Sequence, residues 1–182
     1  MEKRIKKNNS INLLFLGDSQ TGKSFIIQSL IDEKIVTRNL LSTIGIEKMI
    51  KTCQSNIQDE IKTEFNLIIF DTSGQERFRG IISSLFRFNN LDGLILIYST
   101  KHRRSFKNIE SIWIDFIKNY YNDISKVNNL WIIGNKFDVD KNDTIEEVLE
   151  EEGEELAKKY GASFILFSNK DPYILQNINE NI

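Results

Sequence analysis

The chain has 182 residues, a length typical of one domain, and its composition of 40% hydrophobic and 27% charged residues is not that of a disordered protein. Its net charge of −2 gives no reason to expect broad electrostatic binding to nucleic acid or to an anionic membrane. Cys53 is the only cysteine, which excludes an intrachain disulfide and fits a reducing compartment.

The first ten residues predict a flexible N-terminal arm, not a targeting segment. Basic residues crowd positions 3–7, but the apolar run that follows at 11–16 is shorter than the core of a secretory signal. No stretch of the sequence is long and apolar enough to span a bilayer. We therefore expect a solvated basic arm at 1–10 ahead of one domain at 11–182, with an electrostatic membrane role for the arm as the alternative.

Short apolar runs along the chain predict buried strands. Runs this short and continuous are typical of strands that are covered on both faces of a sheet. They lie at 11–16, 65–70, 94–98, 130–133 and 164–167.

Helical patterns fill intervals between these runs. Residues 105–121 carry apolar side chains every three to four positions. Asp143 and Glu146 are spaced as a capping pair for the next helix, which we expect to end at Gly161. Pro172 fits the first turn of a last helix. Strands that alternate with helices predict an α/β fold with an open, mainly parallel sheet, in which ligands bind at the carboxyl ends of the strands.

The loop after the first run has the pattern of a phosphate-binding loop. Residues 17–24, GDSQTGKS, match G-x-x-x-x-G-K-[ST] between a predicted strand and a predicted helix. Such a loop aims backbone N–H groups at a β-phosphate, and the helix adds the positive end of its dipole. Lys23 supplies a charge for the β- and γ-phosphates, and Ser24 offers a hydroxyl to Mg²⁺. The residues of this segment that are expected to bind the ligand are Ser19, Gln20, Thr21, Gly22, Lys23, Ser24 and Phe25.

A second group of candidate residues follows the run at 65–70. Asp71 ends this strand, where a carboxylate reaches Mg²⁺ directly or through water. Gly74 lets a backbone N–H approach the γ-phosphate, and Gln75 is placed to orient an attacking water. Lys23 would stabilise charge on the transferring phosphoryl group, so Gln75 and Lys23 are the predicted catalytic residues.

Residues that follow the run at 130–133 predict recognition of guanine. The carboxylate of Asp138 can accept two hydrogen bonds from the N1–H and 2-amino groups of guanine, and adenine has no such donor pair on that edge. Asn135 can bridge the base and the phosphate loop, and Lys136 can lay its stem over the purine.

With these three motifs in order, residues 11–170 resemble the Ras superfamily of small GTPases, and within it the Rab branch. The similarity lies in the phosphate loop, in STIG at 42–45 and in DTSGQERFR at 71–79. The resemblance implies a single P-loop NTPase domain with a mainly parallel six-stranded sheet and helices on both faces. It also implies a Mg²⁺-dependent switch that binds GTP and GDP and hydrolyses GTP slowly.

The resemblance assigns further roles. Thr43 would close onto Mg²⁺ and the γ-phosphate, which makes Ser24, Thr43 and, through water, Asp71 the metal ligands. Ile35 falls about where the family places an aromatic ring against guanine. The last guanine-contacting loop would comprise Ser168, Asn169 and Lys170. Effectors, exchange factors and GTPase-activating proteins would bind the switches, near 35–46 and 74–86.

The sequence departs from the family pattern at several positions. Gln20 and Thr21 replace small residues of the loop and would crowd the phosphates, and aliphatic Ile35 would speed nucleotide exchange. Lys48 and Phe70 replace an effector-facing phenylalanine and tryptophan, which predicts an atypical partner surface. The list of departures continues with Ser73, Leu166, Phe167 and Asn169. The interval from 43 to 71 is also long, which predicts a longer hairpin tip around 54–60.

Family members usually end in a tail with prenylated cysteines, and this chain has no cysteine after Cys53. Three explanations stay open: a shortened chain with a truncated last helix, which we favour, one domain of a larger protein, or a protein without an anchor. We expect a monomer that binds no nucleic acid and contacts membranes only indirectly or through a missing tail. Its expected location is cytoplasmic, with the cytosolic face of endomembranes as the alternative.

Two other functions compete with a working switch. A GTPase-like module that binds nucleotide or partners but scarcely turns over would explain the departures at Gln20, Ile35 and Asn169. A P-loop kinase that uses ATP would need an arginine-rich lid, and it would not need Asp138. Without an arginine finger of its own, a working switch should turn over on the order of 10⁻⁴ to 10⁻³ s⁻¹. The basic cluster at 101–104 around His102 is expected to be solvated surface. Arg77 and Arg79 are expected to be surface residues or salt-bridge partners within the second switch.

Overall fold

A six-stranded sheet organises the part of the chain that the computed structural model describes, which comprises residues 10–31, 45–57, 61–88, 90–121, 124, 127, 129–136 and 147–168. The strands are β1 Ser10–Leu16, β2 Ile46–Ile57, β3 Ile61–Thr72, β4 Gly93–Ser99, β5 Leu130–Lys136 and β6 Ser163–Ser168. Their spatial order is β2-β3-β1-β4-β5-β6, and only the β2–β3 pair is antiparallel. The predicted mainly parallel six-stranded sheet is confirmed.

Helices cover both faces of this sheet. They are α1 Lys23–Ile31, α2 Arg79–Phe88, α3, whose consecutive segments are Arg103–Asn108, Ile109–Ile114 and Asp115–Lys118, and α4 Glu150–Tyr160. Helix α1 packs on one face, and α2, α3 and α4 pack on the other. Within the described ranges no helix has the length and apolar character needed to cross a membrane.

The apolar runs predicted strands correctly because both faces of the central strands are buried. In β1, Leu14 and Leu16 join the core under α2 and α3, whereas Leu13 and Phe15 join the core under α1. Every residue of β4 is buried. Side chains alternate between the faces of a strand, so a strand covered on both sides needs an apolar residue at every position.

The first antiparallel hairpin is longer than the apolar run at 65–70 indicated. Strand β2 lies at the edge of the sheet and exposes Glu47 and Lys48, so it has no continuous apolar run to reveal it. The ladder continues to the pair Ile57–Ile61. The predicted tip around 54–60 was therefore too wide, because residues 54–57 belong to the ladder.

Helix α3 begins at Arg103, two residues before the predicted start, and its middle segment has wide π-helical turns. The expectation that the cluster at 101–104 is plain surface holds for exposed His102 but was wrong for Arg103. The side chain of Arg103 is 23% exposed, and its guanidinium pairs with the carboxylate of Glu152 on α4. The pair joins the start of α3 to α4.

The predicted start of α4 was wrong. Residues 147–149 are not helical, and the helix begins at Glu150 with Leu149 as its N-cap residue in an extended conformation. The carboxylate of Glu152 accepts a hydrogen bond from the backbone N–H of Leu149 at 2.9 Å, so Glu152 makes the bond predicted for a capping glutamate. Gly161 ends the helix in the left-handed conformation, as predicted. Asp143, Glu146 and Pro172 lie outside the described residues.

Candidate functional site

The predicted phosphate loop connects β1 to α1 at the carboxyl edge of the sheet. Gly17, with a φ of 145°, leaves no room for a side chain, because a Cβ there would lie 2.2 Å from the carbonyl oxygen of Ile97 on β4. Gly22 also has a positive φ, of 89°.

Gln20 is the one described residue other than glycine with a positive φ, at 64°, and its side chain is exposed. Thr21 is fully buried, and its hydroxyl donates back to the carbonyl oxygen of Asp18 at 3.0 Å.

Lys23 spans the loop from the inside. Its ammonium group donates to the carbonyl oxygens of Gly17 at 3.0 Å and Asp18 at 2.7 Å, and the residue is only 5% exposed. Burial lowers the pKa of this ammonium to about 8, and the carboxylates of Asp71 and Asp18 partly oppose that shift. A polyphosphate in the loop would add countercharge and favour the protonated form further.

The predicted metal-binding pair is assembled in the structure. The hydroxyl of Ser24 donates to Oδ2 of Asp71 at 2.5 Å, although the two residues are 47 positions apart in the chain. Asp71 is fully buried at the end of β3, beside β1 in the sheet. Parallel pairing of these two strands therefore brings the carboxylate to the start of α1, as the motif spacing predicted.

The segment after β3 packs directly on the phosphate loop. A Cβ added to Gly74 would lie 2.1 Å from the backbone of both Asp18 and Ser19, so only glycine allows this approach. Gln75 follows at once, and its backbone N–H is 3.4 Å from the hydroxyl of Ser73. The backbone N–H of Ser73 donates to the carbonyl oxygen of Gly45 at 2.8 Å, which joins the end of the first predicted switch, near 35–46, to the residue that precedes the second, near 74–86.

Among the predicted base-reading residues, the structure places the side chain of Asn135 beside the phosphate loop. The amide of Asn135, at the end of β5, donates to the carbonyl oxygen of Thr21 at 2.8 Å. Ser168 ends β6, the neighbour of β5, and the ring of Phe25 packs edge-on against Phe167 at 6.3 Å between centroids. For Lys136 the structure describes the backbone alone. The predicted contacts outside the described residues are Ile35, Thr43, Asp138, Asn169 and Lys170.

Asp18 is a part of this site that sequence reasoning missed. Its carboxylate accepts hydrogen bonds from the side chains of Asn108 and Trp113 on α3. Asp18 occupies a freely variable position of the motif. The one signal available was chemical, because a carboxylate in a loop built for phosphates requires donors of its own.

Comparison with known proteins agrees with this geometry. The family model described as "Ras family" matches residues 12–182. The chain belongs to the Ras family.

Curated members of this family resemble the chain over most of its length. "Ras-related protein SEC4" of Candida albicans is 33% identical over 172 residues, which cover 94% of this chain and 71% of that protein. "Ras-related protein SEC4" of Saccharomyces cerevisiae is 34% identical, with coverage of 93% and 70%. "Ras-related protein RABD1" of Arabidopsis thaliana is 37% identical, with coverage of 87% and 70%.

Membership of the Ras family confirms the fold and the general function. The chain is a Rab-like small GTPase, a GTP-binding switch of the kind that acts in vesicle trafficking. The competing hypothesis of a catalytically weak binding module is not favoured.

Proposed function

We propose that the loop from Gly17 to Ser24 binds the phosphates of GTP and GDP and that Lys23 and Gln75 carry the hydrolysis. The observation that supports this most directly is the buried ammonium of Lys23, which is held inside the loop by the carbonyl oxygens of Gly17 and Asp18. Desolvating an ammonium is costly. A buried ammonium is retained where a strongly anionic ligand replaces the favourable interactions that the group loses with water.

The residues at the head of α1 fit Mg²⁺. The hydroxyl of Ser24 and the carboxylate of Asp71 are hard oxygen donors that already lie within 2.5 Å of each other. Mg²⁺ typically binds through one or two carboxylates, phosphate oxygens and water, so the absence of a cluster of three or more His, Cys, Asp or Glu among the described residues is no obstacle. Thr43 is proposed as a further ligand in the GTP state. When bound, the ion would neutralise charge on the β- and γ-phosphates.

Hydrolysis would depend on positioning. Gly74 touches the backbone of Asp18 and Ser19, which supports a backbone N–H near the γ-phosphate. Gln75, the next residue, would orient the attacking water, and Lys23 would stabilise the charge that develops on the transferring group. Turnover would be slow until a GTPase-activating protein contributes an arginine.

Guanine selection is assigned to the ends of β5 and β6. Asn135 would fix the loop between base and phosphates, and Asp138 would accept the N1–H and 2-amino hydrogens of guanine. Lys136 and Ile35 would contact the purine faces. The neighbouring loop of Ser168, Asn169 and Lys170 would complete the pocket. The parallel pairing of β5 with β6 supports this assignment, because it brings the two segments to the same edge of the sheet.

Partners are proposed to read the switches and the β2–β3 surface. Lys48 lies opposite Phe70 in the ladder, and its ammonium is 6.0 Å from the ring centroid. This cation on an effector-facing surface supports a set of effectors different from that of typical Rabs. The proposed location of the protein is the cytoplasm, with the cytosolic face of endomembranes as the alternative, and the proposed state is a monomer.

Single-turnover hydrolysis tests the proposal. Wild-type protein and Gln75→Leu are loaded with GTP in Mg²⁺, and phosphate release is followed. The wild type should turn over on the order of 10⁻⁴ to 10⁻³ s⁻¹, and the variant should be at least tenfold slower with GTP affinity retained. Equal rates in the two proteins would remove Gln75 from the mechanism.

A further inference from the structure

The carboxylate of Asp18 is held on the α3 side of the phosphate loop. Its Oδ2 accepts a hydrogen bond from Nδ2 of Asn108 at 2.6 Å, and its Oδ1 accepts one from Nε1 of Trp113 at 2.9 Å. Trp113 is fully buried, and its indole has a single N–H, which needs a partner in the interior. Removing the acceptor would leave that donor buried and unsatisfied.

The π-helical segment of α3 explains how both donors reach one carboxylate. Asn108 and Trp113 are five residues apart, and in a regular α-helix of 3.6 residues per turn they would point about 140° apart. Asn108 directly precedes the wide segment Ile109–Ile114, and Trp113 lies within it. A turn closed by i→i+5 hydrogen bonds returns residues five apart to nearly the same face. The irregularity of the helix is therefore coupled to the contact with the loop.

A residue of α2, the helix that overlaps the second predicted switch and is called the switch helix below, lies over the face of the same indole. Arg79 is the first residue of α2, and its guanidinium carbon lies 5.7 Å from the centroid of the Trp113 ring. Its Nε atom is buried and has no hydrogen-bond partner within the described part of the chain. A cation at this distance over an indole face is attracted by the ring, so the contact contributes to holding the guanidinium. Trp113 thus touches the loop with its edge and the switch helix with its face.

The negative charge of Asp18 gives these hydrogen bonds an electrostatic role in nucleotide binding as well as a packing role. A carboxylate that is free to turn toward a bound triphosphate would repel it. Two neutral donors on α3 hold the carboxylate on their side of the loop. Gly74, in the second predicted switch at 74–86, packs against the backbone of Asp18. Movement of that segment therefore acts on a residue that α3 also holds.

We propose that Asp18, Asn108 and Trp113 position the phosphate loop, and that the contact between Trp113 and Arg79 links the loop to the state of the switch helix. This inference rests on the proposed nucleotide site and names residues that regulate it. Asp18 is a positioning residue, since it acts through the backbone of the loop.

Tryptophan fluorescence provides the direct test. The chain has two tryptophans, and Trp131→Phe, a change of a half-buried residue on β5, leaves Trp113 as the only one. In this background, the emission of Trp113 should differ between the protein loaded with GDP and the protein loaded with a non-hydrolysable GTP analogue. Arg79→Met should reduce that difference to less than half. Arg87→Met, an exposed arginine in the last turn of the same helix, is the matched control and should leave the difference intact.

Nucleotide affinity tests the role of the hydrogen bonds separately from the charge. Asp18→Ala should weaken GDP binding by about tenfold or more, because it leaves the indole N–H unsatisfied. Asp18→Asn keeps an oxygen for the indole, and rotation of the Asn108 amide restores the second bond, so its affinity should stay within about threefold of the wild type. If Asp18→Ala does not fold, the asparagine variant and the fluorescence series remain decisive.

The possible failures can be told apart. Protein that binds guanine nucleotide tightly but shows one Trp113 emission in both states, or keeps the full difference in Arg79→Met, contradicts the positioning link alone. Wild-type affinity in Asp18→Ala contradicts it as well. If the wild type and Trp131→Phe both fold but neither binds guanine nucleotide, the proposed function and this inference are overturned together.

Discussion

The side-chain amide of Asn135 donates a hydrogen bond to the main-chain carbonyl oxygen of Thr21, 114 residues earlier, at 2.8 Å. Both residues are buried, with exposures of 2% and 0%. The bond fastens the phosphate loop to the end of β5, next to the segment assigned to the guanine base. A single side chain thus holds together the two parts of the chain that we propose bind the base and the phosphates.

Loss of this bond should affect both stability and binding. Asn135→Ala removes the donor and leaves the carbonyl oxygen of Thr21 buried, so the free energy of unfolding should fall by about 1–3 kcal/mol and GDP affinity should fall with it. Urea unfolding and GDP titration measure the two effects.

Asn129→Ala is the matched control. The amide of Asn129 donates to the carbonyl oxygen of Asp92 at the same distance of 2.8 Å, but this residue is exposed and precedes β5 at the opposite end of the strand. Its removal should cost less than about 1 kcal/mol and leave GDP affinity unchanged. Equal effects of the two variants on GDP binding would contradict a specific role for Asn135.

The contact of Gly74 with the phosphate loop should be required for the GTP state. A Cβ at this position would lie 2.1 Å from backbone atoms of the loop, so Gly74→Ala must push the switch segment away. We expect affinity for a GTP analogue to fall about tenfold more than affinity for GDP, because the displaced N–H is the one proposed to bind the γ-phosphate.

Gly80 supplies the comparison for Gly74. It lies in α2, and an added Cβ would meet nothing within 4 Å. Gly80→Ala should raise the free energy of unfolding by about 0.5–1 kcal/mol through helix propensity and leave both affinities unchanged. A Gly74→Ala protein that binds the analogue as well as Gly80→Ala does would refute the contact's role.

The left-handed conformation of Gln20 should be a measurable cost. A residue with a side chain pays roughly 1–2 kcal/mol there, and glycine does not. Gln20→Gly should therefore raise the free energy of unfolding by about 1 kcal/mol. Ser19→Gly, at a neighbouring position without a positive φ, should lower it by about 0.5–1 kcal/mol. In urea unfolding, the changes in the free energy of unfolding of the two variants should have opposite signs. Changes of the same sign would contradict the backbone strain assigned to Gln20.

The pair between Arg103 and Glu152 should make stability depend on pH in one direction. The hydrogen bond from Arg103, followed by the backbone N–H of Leu149, lowers the pKa of Glu152 below its ordinary value of 4.5. A carboxylate whose pKa is lower in the folded state contributes stability above the unfolded pKa and loses it as the pH falls through the folded pKa.

Glu152→Gln should therefore be less stable than the wild type near pH 7, by less than about 1 kcal/mol because both side chains are partly exposed. The difference should vanish as the pH drops below 4.5. Glu151→Gln, at the exposed neighbouring position, should track the wild type throughout. Thermal melts across this pH range measure the stability difference between the wild type and Glu152→Gln. A difference that persists at low pH would rule out the ion pair as its source.

Sequence patterns predicted the features that depend on local order along the chain. The central strands could be predicted because burial on both faces demands continuous apolar runs. The phosphate loop could be predicted because its glycines and lysine lie at fixed spacing within eight consecutive residues. Edge strand β2 gave no such run. The start of α4 was mistaken because Asp143 and Glu146 have capping spacing, whereas Glu152 caps the helix in the structure.

Features that depend on distant partners were beyond sequence reasoning. Asp18 finds its donors 90 and 95 residues away, and the π-helical turn that brings them together has no local signature. The half-buried position of Arg103 likewise depends on a carboxylate 49 residues later.

Nucleotide content and preference test the central proposal most directly. Nucleotide released from the purified protein is identified by chromatography, and the stripped protein is titrated with GDP, GTP and ATP with and without Mg²⁺. We predict bound guanine nucleotide, tight Mg²⁺-dependent binding of GDP and GTP, little binding of ATP, and loss of the preference in Asp138→Ala. Equal affinity for ATP and GTP, or tight binding that ignores both Mg²⁺ and Asp138→Ala, would contradict a guanine-nucleotide switch built on these residues.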